Sequence, residues 1–198
     1  MSQLALFNPH STVPVAPSPA KKRTRRARPT AVVAAPPIAP AVRVEPSLRP
    51  ILFLDFDGVV AWSHPTKQAM ERLRRPCVAI LNTVVERTGC LVVVSSMWRL
   101  DPRTGLGFGA VQLEAWLREA GFKGEVVGIT CHLPGDGVRG QEIQRRLTEN
   151  EVEPTRRIAI VDDWEPMGAL TPKLVRTDYD RGITMADADR LVTLLGPK

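Results

Sequence analysis

The chain has 198 residues, with 27 Lys+Arg against 21 Asp+Glu and a formal net charge of +6. The charge is uneven: residues 1–50 hold eight basic residues and one acid, leaving 19 basic and 20 acidic residues in 51–198. That division excludes a uniformly basic DNA-binding domain and describes a near-neutral domain behind a basic arm.

Residues 1–50 carry ten of the 18 prolines and none of the 14 glycines. Sequence such as AVVAAPPIAPAV favours extended conformations and offers no periodic face to bury, so this stretch reads as a disordered tail. Within it, KKRTRRAR places six positive charges in eight residues. Two readings of that run stay open: a solvated linker, or an arm that contacts nucleic acid by neutralising phosphates. The opening MSQLALFNPHSTVPVAP lacks the charged and long apolar regions of a secretory signal. Cys77, Cys90 and Cys131 form no C-x-x-C pair and suit reduced thiols in a cytoplasmic protein. No apolar run approaches the roughly 20 residues needed to span a bilayer, so no membrane partner is expected.

From Ile51 onward strands and helices alternate. PILFLDFDG reads as a buried strand ending in acids, and CVAILNTVVERTG as a helix with Val78, Leu81, Val84 and Val85 on one face and Gly89 as its stop. CLVVVSS is a second buried strand, GAVQLEAWLREAG a helix closed by Gly121, and GEVVGIT a third strand. RGQEIQRRLTEN is the next helix, followed by strands in RRIAIVDD and PKLVRTD. TMADADRLVTLLG closes the pattern as a helix with Thr184 as N-cap. Continuously apolar strands between helices predict a three-layer α/β, Rossmann-like domain over 51–198, built on a parallel sheet. In such sheets ligands bind beyond the carboxyl ends of the strands.

The polar residues at those ends form a chemically coherent set. Asp55 and Asp57 follow the first strand, Ser95 and Ser96 the second, and Asp162 and Asp163 the fourth, while Arg139 opens the helix after the third. Carboxylates at i and i+2 of an extended segment share a side. Joined by further acids from a neighbouring strand, they make an all-oxygen site of the kind that selects Mg²⁺. Such an ion neutralises a substrate phosphate, so that a carboxylate can attack it while a hydroxyl and a cation hold the phosphoryl oxygens. A calcium loop is excluded, because Val59 and Ala61 stand where an EF-hand needs oxygen ligands.

FLDFDGVV resembles the first motif of the haloacid dehalogenase-like (HAD) phosphohydrolases, LVVVSS the second, Arg139 the basic third and AIVDD the fourth, in order from about Ile51 to Gly196. SSMWR, RGQEI, VDD and the closing RGIT resemble the HAD domain of Swiss Army Knife RNA-repair proteins. The resemblance implies Asp55 as nucleophile, Asp57 as general acid/base, Arg139 and Ser95 or Ser96 as phosphate contacts, and Mg²⁺ held among Asp55, Asp57, Asp162 and Asp163. Arg99 is a further candidate for a phosphate contact. For Trp98 and Trp164, packing at the pocket rim and base stacking are both open. His132 reads as a solvent-facing loop residue, with a place in the substrate loop as the alternative.

Too few residues separate the motifs for a domain-sized cap, so the enzyme reads as capless. An open site admits bulky phosphorylated ends, and the expected reaction is Mg²⁺-dependent phosphomonoester hydrolysis on an RNA or DNA end. The alternatives are a nucleotidase or small-molecule phosphatase, and a non-catalytic nucleic-acid-binding protein with a HAD-like scaffold.

Overall fold

The structure, a computed structural model, describes residues 49–62, 69–100, 108–134, 138–164 and 167–198. The tail read as disordered, with its KKRTRRAR run, lies outside the described residues up to position 48. Five strands form one sheet: β1 (Ile51–Leu54), β2 (Leu91–Val94), β3 (Val126–Ile129), β4 (Ile158–Asp162) and β5 (Leu174–Arg176). Helices α1 (Ala69–Arg72), α2 (Arg75–Thr88), α3 (Ala110–Glu119), α4 (Arg139–Glu149) and α5 (Met185–Leu195) connect or follow them. Short 3-10 segments add Met97–Arg99 and Gly168–Lys173.

All strand pairs are parallel and the order is β3-β2-β1-β4-β5. The chain therefore moves outward from β1 through β2 to β3, then returns across β1 to begin β4 on its other side. That reversal, between β1 and β4, is the switch point where a crevice opens beyond the strand ends.

Alternation along the strands divides the core into two layers. Leu52, Leu54, Val92, Val94 and Val161 meet Leu81 of α2, Leu113 of α3 and Leu191 of α5. Ile51, Phe53, Val93, Ile158 and Ile160 face the other way, onto Ile143 of α4 and Met167. Burying such a side chain fully stabilises the fold by about 1.5–3 kcal/mol, so both layers hold β1 rigidly in the centre. The helix ends follow the sequence signals. Gly89 closes α2 in the left-handed region, at φ 66°, and its N–H donates to the Val85 carbonyl. Thr184 and Asp187 form a reciprocal capping box at the start of α5. Among the described residues, α1 and α2 lie between the first and second motifs, and the Met97–Arg99 turn, α3 and β3 between the second and third, with no separate cap domain. No helix among them is long and apolar enough to cross a membrane.

Candidate active site

Asp55 follows β1 directly and Asp162 ends β4. Because Leu54 pairs with Val161 and the Asp55 N–H donates to the Val161 carbonyl at 3.0 Å, the two acids lie side by side. Asp163 joins them: one carboxylate oxygen from each of Asp55, Asp162 and Asp163 lies within 4.8 Å of the others. The turn after β1 makes this approach possible. The N–H groups of Val59, Val60 and Ala61 all donate to the Phe56 carbonyl, and Gly58 takes a φ of 68°. A Cβ on Gly58 would stand 2.7 Å from the Asp163 carboxyl carbon, so glycine serves both the conformation and the space.

Burial makes the cluster electrostatically frustrated. It pushes the Asp55 carboxyl up to about 8; Arg139 pulls it back and Asp162 adds to the rise, while the Ser96 hydroxyl and the Phe56 backbone favour the ionised form. Burial likewise raises Asp162, against the pull of Arg139, and raises Asp163. Three crowded carboxyls with oxygen donors only are a hard-cation donor set, and a divalent ion would relieve the charge that burial penalises. The residues present fit Mg²⁺.

Arg139 provides the fixed positive charge. Its Nη1 lies 3.1 Å from Asp162 Oδ2 and 3.3 Å from Asp55 Oδ1. Burial opposes its charge, but Asp55, Asp162 and Glu142 outweigh that effect and raise its pKa. Arg139 is the first residue of α4, and the next residue explains how the helix comes so near: a Cβ on Gly140 would lie 2.4 Å from the Met167 carbonyl oxygen.

Asp57 stands outside the three-acid cluster. Its Oδ1 is paired with Arg72, and its Oδ2 accepts from the indole Nε1 of Trp98 at 2.9 Å. Trp98 is buried, edge-on to Phe56 at 5.1 Å and to Trp116 at 6.1 Å, so of its two open readings the structure gives packing, plus a grip on Asp57. Both serines after β2 are fully buried. Ser96 bonds to Asp55 and its hydroxyl accepts from the Trp98 N–H at 3.3 Å, whereas the Ser95 hydroxyl has no partner. Thr130, at the neighbouring end of β3, has a hydroxyl that is likewise buried and unpartnered.

Arg99 does not lie open to solvent: it is 1% exposed, its Nη2 meets Glu142 Oε1 at 2.7 Å and its Nη1 donates to the Ser96 carbonyl at 2.6 Å. Burial lowers its pKa and Glu142 supports its charge. Glu142, absent from the sequence-predicted set, is the hub of this layer. The same oxygen accepts from the Leu133 N–H at 3.0 Å and lies 3.5 Å from His132 Nδ1, while Oε2 lies 3.8 Å from Arg139 Nε. The available signal was its spacing, three residues after the motif arginine and so on the same face of the helix; its burial shows only in the fold. Trp164 is 58% exposed at the rim, its N–H donating to Asp162 Oδ1 at 2.9 Å.

Crossing from β3 over β1 to β4 is what joins the first and fourth acidic motifs, and a parallel sheet carrying its acids in this way is that of a HAD domain. Residues 51–188 match the family described as the HAD domain in Swiss Army Knife RNA repair proteins, and the chain belongs to that family. No curated protein and no solved structure matches the chain.

Proposed function

We propose that the protein is a phosphomonoester hydrolase that works through an aspartyl-phosphate on Asp55 and acts on a nucleic-acid end. The observation that carries this reading is Asp55 itself: a buried carboxylate at the switch point, within 3.3 Å of the Arg139 guanidinium and grouped with Asp162 and Asp163. Burial pushes its carboxyl up to about 8 even with Arg139 beside it, and a buried acid so perturbed by a specific charge partner is a functional-site candidate.

An Asp55 oxygen attacks phosphorus, the bond from phosphorus to the ester oxygen breaks, and that bond's electron pair leaves on the oxygen, which takes the proton that an Asp57 protonated at the start of the cycle brings to the step. Asp57 then takes a proton from water as the water attacks the acyl phosphate. The bond between phosphorus and Asp55 breaks, and inorganic phosphate and the free carboxylate result. Arg139 and a hydroxyl, from Ser95 or Ser96, hold the phosphoryl oxygens as their charge redistributes. Held by Asp55, Asp162 and Asp163, Mg²⁺ would supply the neutralising charge that lets an anionic nucleophile approach an anionic phosphate. Glu142 steadies Arg139, its Oε2 lying 3.8 Å from Arg139 Nε, and Arg99 holds Glu142 in turn.

An RNA or DNA end is favoured as substrate by the family's place in RNA repair proteins and by the lack of a separate cap domain among the described residues. The basic arm of residues 21–28 is a second nucleic-acid contact in this reading, and the protein works in the cytoplasm. The intact Asp55 and Asp57 argue against a non-catalytic scaffold. Asp55→Asn should lower turnover of a phosphorylated oligonucleotide by at least about a thousandfold, because the amide keeps the shape and loses the nucleophile. Acid-quenched wild-type reactions should carry phosphate on Asp55, and wild-type turnover by the variant sinks the assignment. Assaying phosphorylated oligonucleotides beside mononucleotides and sugar phosphates separates an end-processing enzyme from a nucleotidase.

A further inference from the structure

The face beside Asp57 carries features that hydrolysis of a bare phosphate does not need. Trp62 is 51% exposed, and the Arg74 guanidinium lies over its ring, 4.2 Å from the centroid. Arg72 stacks in the same way on Trp98, at 4.3 Å, and reaches Asp57. The two pairs are tied together: the Trp62 N–H donates to the Arg72 carbonyl at 2.9 Å, and Arg72 Nε donates to the Trp62 carbonyl at 2.9 Å. Arg74 is anchored in turn, its N–H donating to the Val60 carbonyl at 2.8 Å and its Nη1 to the Asp180 carbonyl at 3.2 Å. Two indole–guanidinium pairs thus run outward from the acid, the inner one with a buried indole under a part-buried guanidinium and the outer one with its indole half in water.

We propose that Trp62, backed by Arg74, receives the base of the leaving nucleotide when the substrate is a single-stranded polynucleotide end. The proposal rests on the reading of Asp57 as the acid that faces the leaving oxygen, because that places the leaving group on the Trp62 side. Indole and guanidinium suit such a group jointly: a base stacks on the ring, and the next phosphodiester meets a cation already held in place. A sugar phosphate lacks the π-face and a mononucleotide lacks the second phosphate. A paired terminal base would have to leave its duplex to reach Trp62, so single strands are preferred over blunt ends.

The test uses the full chain on single-stranded oligonucleotides with a 3′- or a 5′-terminal phosphate, each beside a matched strand whose terminal residue is abasic. Trp62→Ala should raise KM for the base-bearing end relative to the abasic end by roughly 5- to 150-fold, the range of one lost base stack. Trp62→Phe should recover most of that ratio. The same strands titrated onto Asp55→Asn and onto Asp55→Asn with Trp62→Ala give affinity without turnover. Selective weakening of the base-bearing strand there supports the platform even if the wild type hydrolyses nothing, in which case the hydrolase reading alone falls. Equal changes on both strands, or no change alongside normal hydrolysis, overturn the platform and leave the hydrolase reading intact.

Discussion

Glu142 has 3% of its side chain in solvent, yet two guanidinium groups converge on it, from Arg99 at 2.7 Å and Arg139 at 3.8 Å. Arg139 in turn spans Asp55 and Asp162, so a line of alternating charge runs from the Met97–Arg99 turn to the nucleophile. Breaking a buried pair from one side is severe, because the charge left behind has neither water nor partner. Glu142→Gln keeps the volume and an acceptor for the Leu133 N–H but removes the charge. It should destabilise the protein by about 3 kcal/mol in denaturant unfolding and lower kcat by about tenfold or more, as Arg99 and Arg139 lose their common anchor. Loss of stability with unchanged kcat would make Glu142 a support of the fold alone.

At the scale of elements, the strands and four longer helices were legible because their signals are local. ILFL, LVVV and the IAIV of β4 are apolar throughout, as strands covered on both faces must be, and Gly89 and Thr184 mark helix ends by their own chemistry. Helix α1 is one turn long and has no period to display. The Gly168–Lys173 segment contains Pro172 and buries none of its side chains, so no apolar pattern marked it. The acids at the strand ends could be read for the same reason as the strands. Their partners could not: Trp98 reaches Asp57 across 41 positions, and Arg99 meets Glu142 only once β2 and α4 are folded together. Gly140 belongs to this second kind. It reads as a weak point near the start of a helix, yet it is where α4 touches the backbone of Met167. Gly140→Ala must push that backbone away, against a helix propensity gain of about 1 kcal/mol. A net loss of about 1–3 kcal/mol is expected, with weaker phosphate binding as Arg139 moves off Asp55. Thermal unfolding and product inhibition by phosphate measure the two effects, and a stabilised variant would contradict the close contact.

For the molecule as a whole, the frustrated acids set a pH dependence with a definite sign. Burial pushes the Asp55 carboxyl up to about 8 in the folded chain, well above the ordinary carboxylate range, and raises Asp162 and Asp163 in the same direction. Between those limits the unfolded chain holds fewer protons on Asp55 than the folded one, so metal-free stability falls as pH rises and levels off above the folded value. In chelator, the unfolding free energy should drop by about 2 kcal/mol or more between about pH 5 and pH 8, and Asp55→Asn should drop less. Added Mg²⁺ should restore the loss at the upper end, where the acids are ionised; a flat profile would mean the cluster relaxes when charged. The arm offers a separate experiment. Deleting residues 1–48 should leave turnover of a small chromogenic ester unchanged, because Asp55 and Arg139 both lie beyond it. It should also weaken oligonucleotide binding and flatten its salt dependence, whose slope is roughly −0.7 per neutralised phosphate on single strands. Identical affinity and slope would remove the arm from substrate binding.

The strand order has one more consequence, for the nascent chain. β1 lies at the centre of the sheet, but its two neighbours are synthesised at very different times: β2 begins at Leu91 and β4 only at Ile158. Until β4 arrives, β1 has an unpaired edge and Asp55 has neither Asp162 nor Asp163 beside it. Closing that edge brings distant segments together and is the slow, high-contact-order event of such a topology. Assembly of the acid cluster is therefore inseparable from the pairing that completes the sheet. No truncated product ending before β4 can carry the three-acid site, whatever else of the fold it has formed.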